Sequence, residues 1–196
     1  MTARYTEMQL DALRELANVA SGTAATALSQ MLGREIGLSV PRAHALALQD
    51  AVAAAGDPAQ IVIAVDLPMQ GDITGLVVLL IPLPHAATLC QLLGVEPGTD
   101  VGDSALSEIG NILGASFLNA LGSMTGLSLE PDPPHLMTGR LGAVVASLLA
   151  RTAGHTDTAL VLDSEIDVAG EPCAISFMLL PETSGVTALL APLGLA

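Results

Sequence analysis

Two polar triplets stand at matching spacings in this chain. Asp11, Glu15 and Asn18 fall at i, i+4 and i+7, and Ser104, Glu108 and Asn111 repeat those intervals 93 positions later. On a helix, such spacings place each triplet along one stripe. A carboxylate accepts hydrogen bonds and pairs with cations, and a carboxamide one turn away both donates and accepts. These groups pair charge and orient hydrogen bonds, and none of them is set up for covalent attack. One Glu-x-x-Asn carries little weight, because solvated helices produce it often. Its duplication carries more, since a repeat kept only for packing would match at apolar positions while its polar positions drifted. Asn is also a poor helix former, chosen here twice. The structural alternative is that each Asn caps or bonds a neighbouring backbone group across a pseudo-dyad.

The repeat extends well beyond the triplets. Ala12, Leu13, Glu15, Asn18, Ala27, Leu28, Met31, Gly33 and Pro41 match Ala105, Leu106, Glu108, Asn111, Ala120, Leu121, Met124, Gly126 and Pro134, which is 9 identities over 31 ungapped positions. Chance in an Ala- and Leu-rich chain would give roughly a third as many. The first copy opens on Thr6-Glu7-Met8-Gln9, a capping-box pattern, and its apolar residues recur at helical intervals up to Gly33, a C-terminal stop. One long helix is therefore predicted there, about 40 Å if unbroken. The small residues Ala20 to Ala27 allow close helix packing.

After each long helix comes a Pro-containing crossover and then a predicted hairpin. The first pairs Ile61–Asp66 with Ile73–Ile81 across Gln70-Gly71-Asp72, and the second pairs Ala159–Val168 with Cys173–Leu180 across Ala169-Gly170-Glu171. Each ends at a proline, Pro82 or Pro181, before a short Leu-rich helix at Ala86–Leu93 or Val186–Leu190. Leu38–Leu48 and Leu127–Met137 offer one further strand per half, and Gly142–Ala153 reads as an extra helix. The expected architecture is α+β, with two pseudo-symmetric helix-strand-hairpin-helix repeats, residues 1–97 and 98–196 of a single domain. They share one largely antiparallel sheet, with the two long helices side by side on one face.

Composition narrows the function classes. The net charge is −14, there is no Lys, and the six Arg residues are scattered, so nucleic acid and anionic membrane are disfavoured as partners. An acidic face could instead steer a partner carrying basic residues. Cys90 and Cys173 lie far apart and the four His are isolated, so no metal site is expected. No G-x-S-x-G or G-x-x-x-x-G-K-[ST] run occurs, which disfavours a nucleophilic hydrolase and a nucleotide enzyme. The N-terminal sixteen residues lack a secretory pattern, so a cytoplasmic location is expected. Ile73–Val95 is uncharged, but Gly75, Pro82, Pro84, His85 and Gln91 interrupt it, and it reads as a buried strand followed by a short helix.

The two triplets, with Pro133 at the matching spacing from Asn111 and Pro41 one residue further from Asn18, resemble the motif of the CheC, CheX and FliY family of chemotaxis phosphatases. The resemblance spans essentially the whole chain, including Gly71–Gly75 and Glu108–Gly122. It implies a phosphatase that accelerates dephosphorylation of a phosphorylated CheY-type response regulator. Asn18 and Asn111 would hold the attacking water, Glu15 and Glu108 would pair with the regulator's active-site Lys, and Asp11 and Ser104 would be supporting residues. No cofactor of the chain's own is implied, because Mg²⁺ is expected in the bound regulator. A CheD-type receptor deamidase is a second partner that the resemblance allows. The rival reading is a non-catalytic flagellar-switch or CheD-binding adaptor module. Leu16-Ala17 stands where relatives often have Ile-Gly, and a larger residue beside Asn18 would be expected to crowd a partner.

Overall fold

The computed structural model describes residues 5–152, 158–168, 171–182 and 185–195. The chain opens with α1 (Glu7–Leu32), whose start carries the predicted capping box: the Gln9 N–H donates to Thr6 Oγ1 at 3.3 Å, and the Thr6 N–H donates to Gln9 Oε1 at 2.8 Å. It stops at Gly33, which takes a left-handed conformation with φ 61°. Next come β1 (Ile36–Ala47), α2 (Leu48–Ala55), β2 (Ile61–Gly71), β3 (Gly75–Pro82) and α3 (Leu83–Leu92). The second half holds α4 (Asp100–Thr125), β4 (Leu129–Pro131), β5 (His135–Arg140), α5 (Leu141–Thr152), β6 (Thr158–Val168), β7 (Glu171–Pro181) and α6 (Gly185–Leu190), and a short 3₁₀ turn follows.

All strand pairings are antiparallel and join one sheet in the order β1-β6-β7-β3-β2, with β4 and β5 sharing the far edge of β2. Read from its other end, that order exchanges each strand for its counterpart in the other half, with β3 and β7 meeting at the centre. The sheet is covered on both faces. Helices α1, α3, α4 and α6 pack on one side against Ile63, Val65, Leu67, Val77, Leu79 and Phe177, and α2 and α5 on the other against Val62, Ala64, Val78, Leu80 and Met178. Burial on both faces is why β2, β3 and β7 read as continuous apolar runs with no alternation.

Three expectations need amendment. The predicted strand Leu38–Leu48 ends at Ala47 and gives way to α2, a helix the sequence reading missed because Leu46-Ala47-Leu48 carries no cap or breaker. Leu127–Met137 forms two strands, interrupted at Asp132-Pro133-Pro134. β2 continues past Asp66 to Gly71, and Pro68 is tolerated inside it because the partner edge is broken there: the strand's register passes from β5 at Asp66 to β4 at Met69. The predicted turn at Ala169-Gly170 and the end of the extra helix at Ala153 lie outside the described residues.

Asp66 is fully buried on the α5 face. Arg151 Nη1 lies 2.9 Å from its Oδ2 and His135 Nδ1 3.6 Å from the same atom. Neither Asp66 oxygen receives a well-aligned hydrogen bond, so Arg151 is held to it as charge to charge. It ties the end of α5 to β2. Arg151→Met should cost about 3 kcal/mol, because it strands a buried carboxylate, and adding Asp66→Val should recover most of that loss. Urea denaturation of the single and double variants checks this; additive losses would refute it.

Candidate functional site

The orientation of both triplets follows from which residues the long helices bury. Helix α1 buries Leu13, Leu16, Ala17, Ala20, Ser21, Ala24, Ala25 and Leu28, and α4 buries Leu106, Ile109, Gly110, Leu113, Gly114, Phe117, Leu118 and Leu121 among others. Those eight pairs share the 93-residue offset of the triplets. The two helices pack against each other and present the same inward frame to the sheet. Their outward stripes therefore correspond as well.

Along those stripes Asp11, Glu15, Ser104 and Glu108 are exposed, and Asn18 and Asn111 are half-buried at the surface. Each Glu lies three residues before its Asn, so both side chains of a pair reach the same patch. Asn18 also has a partner within the protein. Asp11 is held by Arg14, whose Nη2 stands 3.1 Å from Asp11 Oδ1, and Ser104 Oγ donates to the Asp100 carbonyl at 2.8 Å. In the sequence Arg14 reads as one of six scattered Arg residues, and its i,i+3 spacing from Asp11 is the signal of this pairing.

Helix α4 starts at Thr99, whose hydroxyl accepts from the Gly102 N–H at 3.1 Å, and ends at Gly126 with φ 74°. It lies unusually close to β2. A Cβ on Gly110 would meet Val65 at 2.5 Å, and one on Gly114 would meet Leu67 at 2.9 Å. Phe117 adds a ring contact to Phe177 of β7 with centroids 5.5 Å apart. On α1 the counterpart of Gly110 is Ala17. Both Leu16 and Ala17 are buried, so the expected crowding of a partner beside Asn18 does not arise: these side chains face the sheet.

The site is a ridge. One cleft of about 260 Å³ lies beside Arg151, Thr74 and Glu182, and a wider one of about 570 Å³ lies beside the end of α4; neither is lined by any of the six triplet residues. Small substrates are normally held in concave pockets. A convex stripe suits a reactive group presented by another macromolecule. Among the described residues there is no cluster of His, Cys, Asp and Glu able to hold a metal, and no helix long and apolar enough to cross a membrane. Cys90 and Cys173 are buried, and burial, with a smaller contribution from Asp103, pushes the Cys90 thiol above its ordinary range. That is the behaviour of a core residue.

Fold and site together define an α+β protein with a helix-borne Glu/Asn pair in each of two equivalent places. Comparison with known proteins places it more closely. A model of the CheC-like family matches residues 8–44 and 101–137, two segments separated by the same 93-residue offset. The chain is 34% identical over 168 residues to the CheY-P phosphatase CheC of Bacillus subtilis, covering 82% of this chain and 80% of that one. It belongs to the CheC-like family. Among solved structures, Thermotoga maritima FliY superposes with a TM-score of 0.80 over 98% of both chains at 19% identity. A Borrelia burgdorferi CheX, solved with CheY, BeF₃ and Mg²⁺, superposes with a TM-score of 0.52, covering 84% of this chain and 96% of that one at 15% identity.

The close seating of α4 can be tested directly. Gly110→Ala should destabilise the protein by about 1–3 kcal/mol through overpacking against Val65. Gly22→Ala on α1, where a Cβ meets nothing within 4 Å, should be neutral or stabilising by about 0.5–1 kcal/mol. Thermal melts of the two variants separate the cases, and equal melting temperatures would mean that α4 is not held against β2.

Proposed function

We propose that this protein accelerates hydrolysis of the acyl phosphate on a phosphorylated CheY-type response regulator. The observation that carries the reading is the pair of outward Glu/Asn stripes on helices that bury identical frames, in a chain one-third identical to a CheY-P phosphatase. In phosphoryl transfer, positioning and charge stabilisation account for most of catalysis. The regulator brings the phosphoryl group, its Mg²⁺ and a Lys. Asn18 or Asn111 orients a water in line with phosphorus, since its carboxamide donates and accepts without acting as a strong base. Glu15 or Glu108 pairs with the regulator's Lys and so docks the helix over the phosphate, where the enclosed pair matters more than one at an exposed rim. Asp11 and Ser104 flank the stripe as supporting residues. No cofactor of the chain's own enters this scheme, and the reaction belongs in the cytoplasm with the regulator.

The likeness to FliY supports a second reading, a flagellar-switch module that binds a regulator without hydrolysing its phosphate. A CheD-type deamidase is a further partner compatible with either reading. Asn18→Ala combined with Asn111→Ala should leave the far-ultraviolet circular dichroism unchanged and abolish acceleration of regulator dephosphorylation, and each single variant should retain part of it. A double variant as active as the parent would contradict the water-positioning role. A parent chain that binds the phosphorylated regulator without shortening its lifetime would establish the switch-module reading.

A further inference from the structure

The two stripes differ in charge at one decisive place. Arg14 lies on the α1 stripe, three residues after Asp11 and four before Asn18, and its side chain and that of Asp11 are 42% and 67% exposed. The 93-residue offset puts Ser107 in its place on α4, and α4 carries no basic residue along its whole length. Glu7–Asn18 holds Glu7, Asp11, Arg14 and Glu15, for a net charge of −2. Asp100–Asn111 holds Asp100, Asp103 and Glu108, for a net charge of −3. Moreover, Asp11 is already engaged by Arg14, whereas Ser104 is neutral and turned back to its own helix.

We propose that Arg14 and Ser107 are specificity-determining residues that make the two sites unequal. The α4 site captures receivers whose phosphate-bearing face is rich in Lys and Arg, and the α1 site disfavours them. The inference rests on the function proposed above, in which a partner's Lys must approach Glu15 or Glu108. On α1 that Lys arrives beside a guanidinium; on α4 it meets carboxylates, hydroxyls and the Asn111 amide, with no cation on the helix. Arg14 pairs with a residue N-terminal to it, one turn away from the Asn18 end of the stripe. It therefore acts as a charge on the rim and does not reach the phosphoryl group. Rim charges act mainly on association and are screened by salt over a Debye length of about 10 Å at 0.1 M. The departure from the family's usual residues beside Asn18 is not the cause, because Leu16 and Ala17 are buried in the core.

The test uses full-length chains with one working site each: Asn111→Ala leaves α1, and Asn18→Ala leaves α4. Each is assayed on a CheY-type receiver with a basic phosphate-flanking face, phosphorylated by a small-molecule phosphodonor, at low salt and at high salt. The α4-only chain should be faster at low salt by roughly two- to fivefold and lose more of its rate as salt rises. Arg14→Ser should speed the α1-only chain, and Ser107→Arg should slow the α4-only chain. Both effects should fade at high salt, where they would persist had the substitutions altered the fold. Equal rates with equal salt dependence in an active parent would overturn the inference while leaving the phosphatase reading intact. A slower Arg14→Ser chain would also overturn it, by showing that the guanidinium assists the reaction. A parent chain without activity would remove the reading on which the inference stands.

Discussion

The structure depends on one packing constraint: two helices press the same eight-position frame against one face of one sheet. The frames set small side chains, Ala and Ser on α1 and Gly on α4, among Leu on α1 and among Leu, Ile and Phe on α4, so that the helices sit near both the sheet and each other. Fixing the inward frame fixes the outward one, because a helix cannot rotate without moving every buried side chain out of register. The Glu/Asn stripes are thus held in orientation by apolar contacts on the opposite side of the same helices.

A convex, acidic ridge has a limited chemical repertoire. It offers hydrogen-bonding side chains at fixed spacing and a favourable potential for a basic partner, and in the proposed function the reactive centre belongs to that partner. This division of labour agrees with a chain that has no Lys, buries both its cysteines and matches a phosphoprotein phosphatase over four-fifths of its length. The other face of the sheet has a different character. Its buried Asp66, paired with Arg151, anchors α5 and takes no part in the ridge.

Much of this was legible in the residues. The two long helices, the α1 caps at Thr6 and Gly33, the two hairpins and the outward stripes of the triplets all follow from periodicity and from the 93-residue offset, signals that are local or repeated. What escaped depends on tertiary surroundings. Helix α2 follows β1 with no breaker between them, so only the core beneath Ala51 decides where the strand ends. Asp66 reads as a strand terminus, yet it lies inside a longer strand because Arg151, far along the chain, compensates its charge. Leu16 and Ala17 read as possible obstacles beside Asn18, and only the packed helix shows that they point inward. Arg14 was visible, but its weight emerges only when it is set against Ser107 on the matching stripe.

The claim at the centre of this account is that the outer faces of α1 and α4 meet the phosphate-bearing face of a receiver domain. Nuclear magnetic resonance of the labelled chain, titrated with a CheY-type protein in its beryllofluoride-activated and unactivated forms, addresses it most directly. The side-chain amide resonances of Asn18 and Asn111 should shift with the activated form and stay nearly still with the unactivated one. Shifts confined to α2 and α5, with both amides unmoved, would contradict the account.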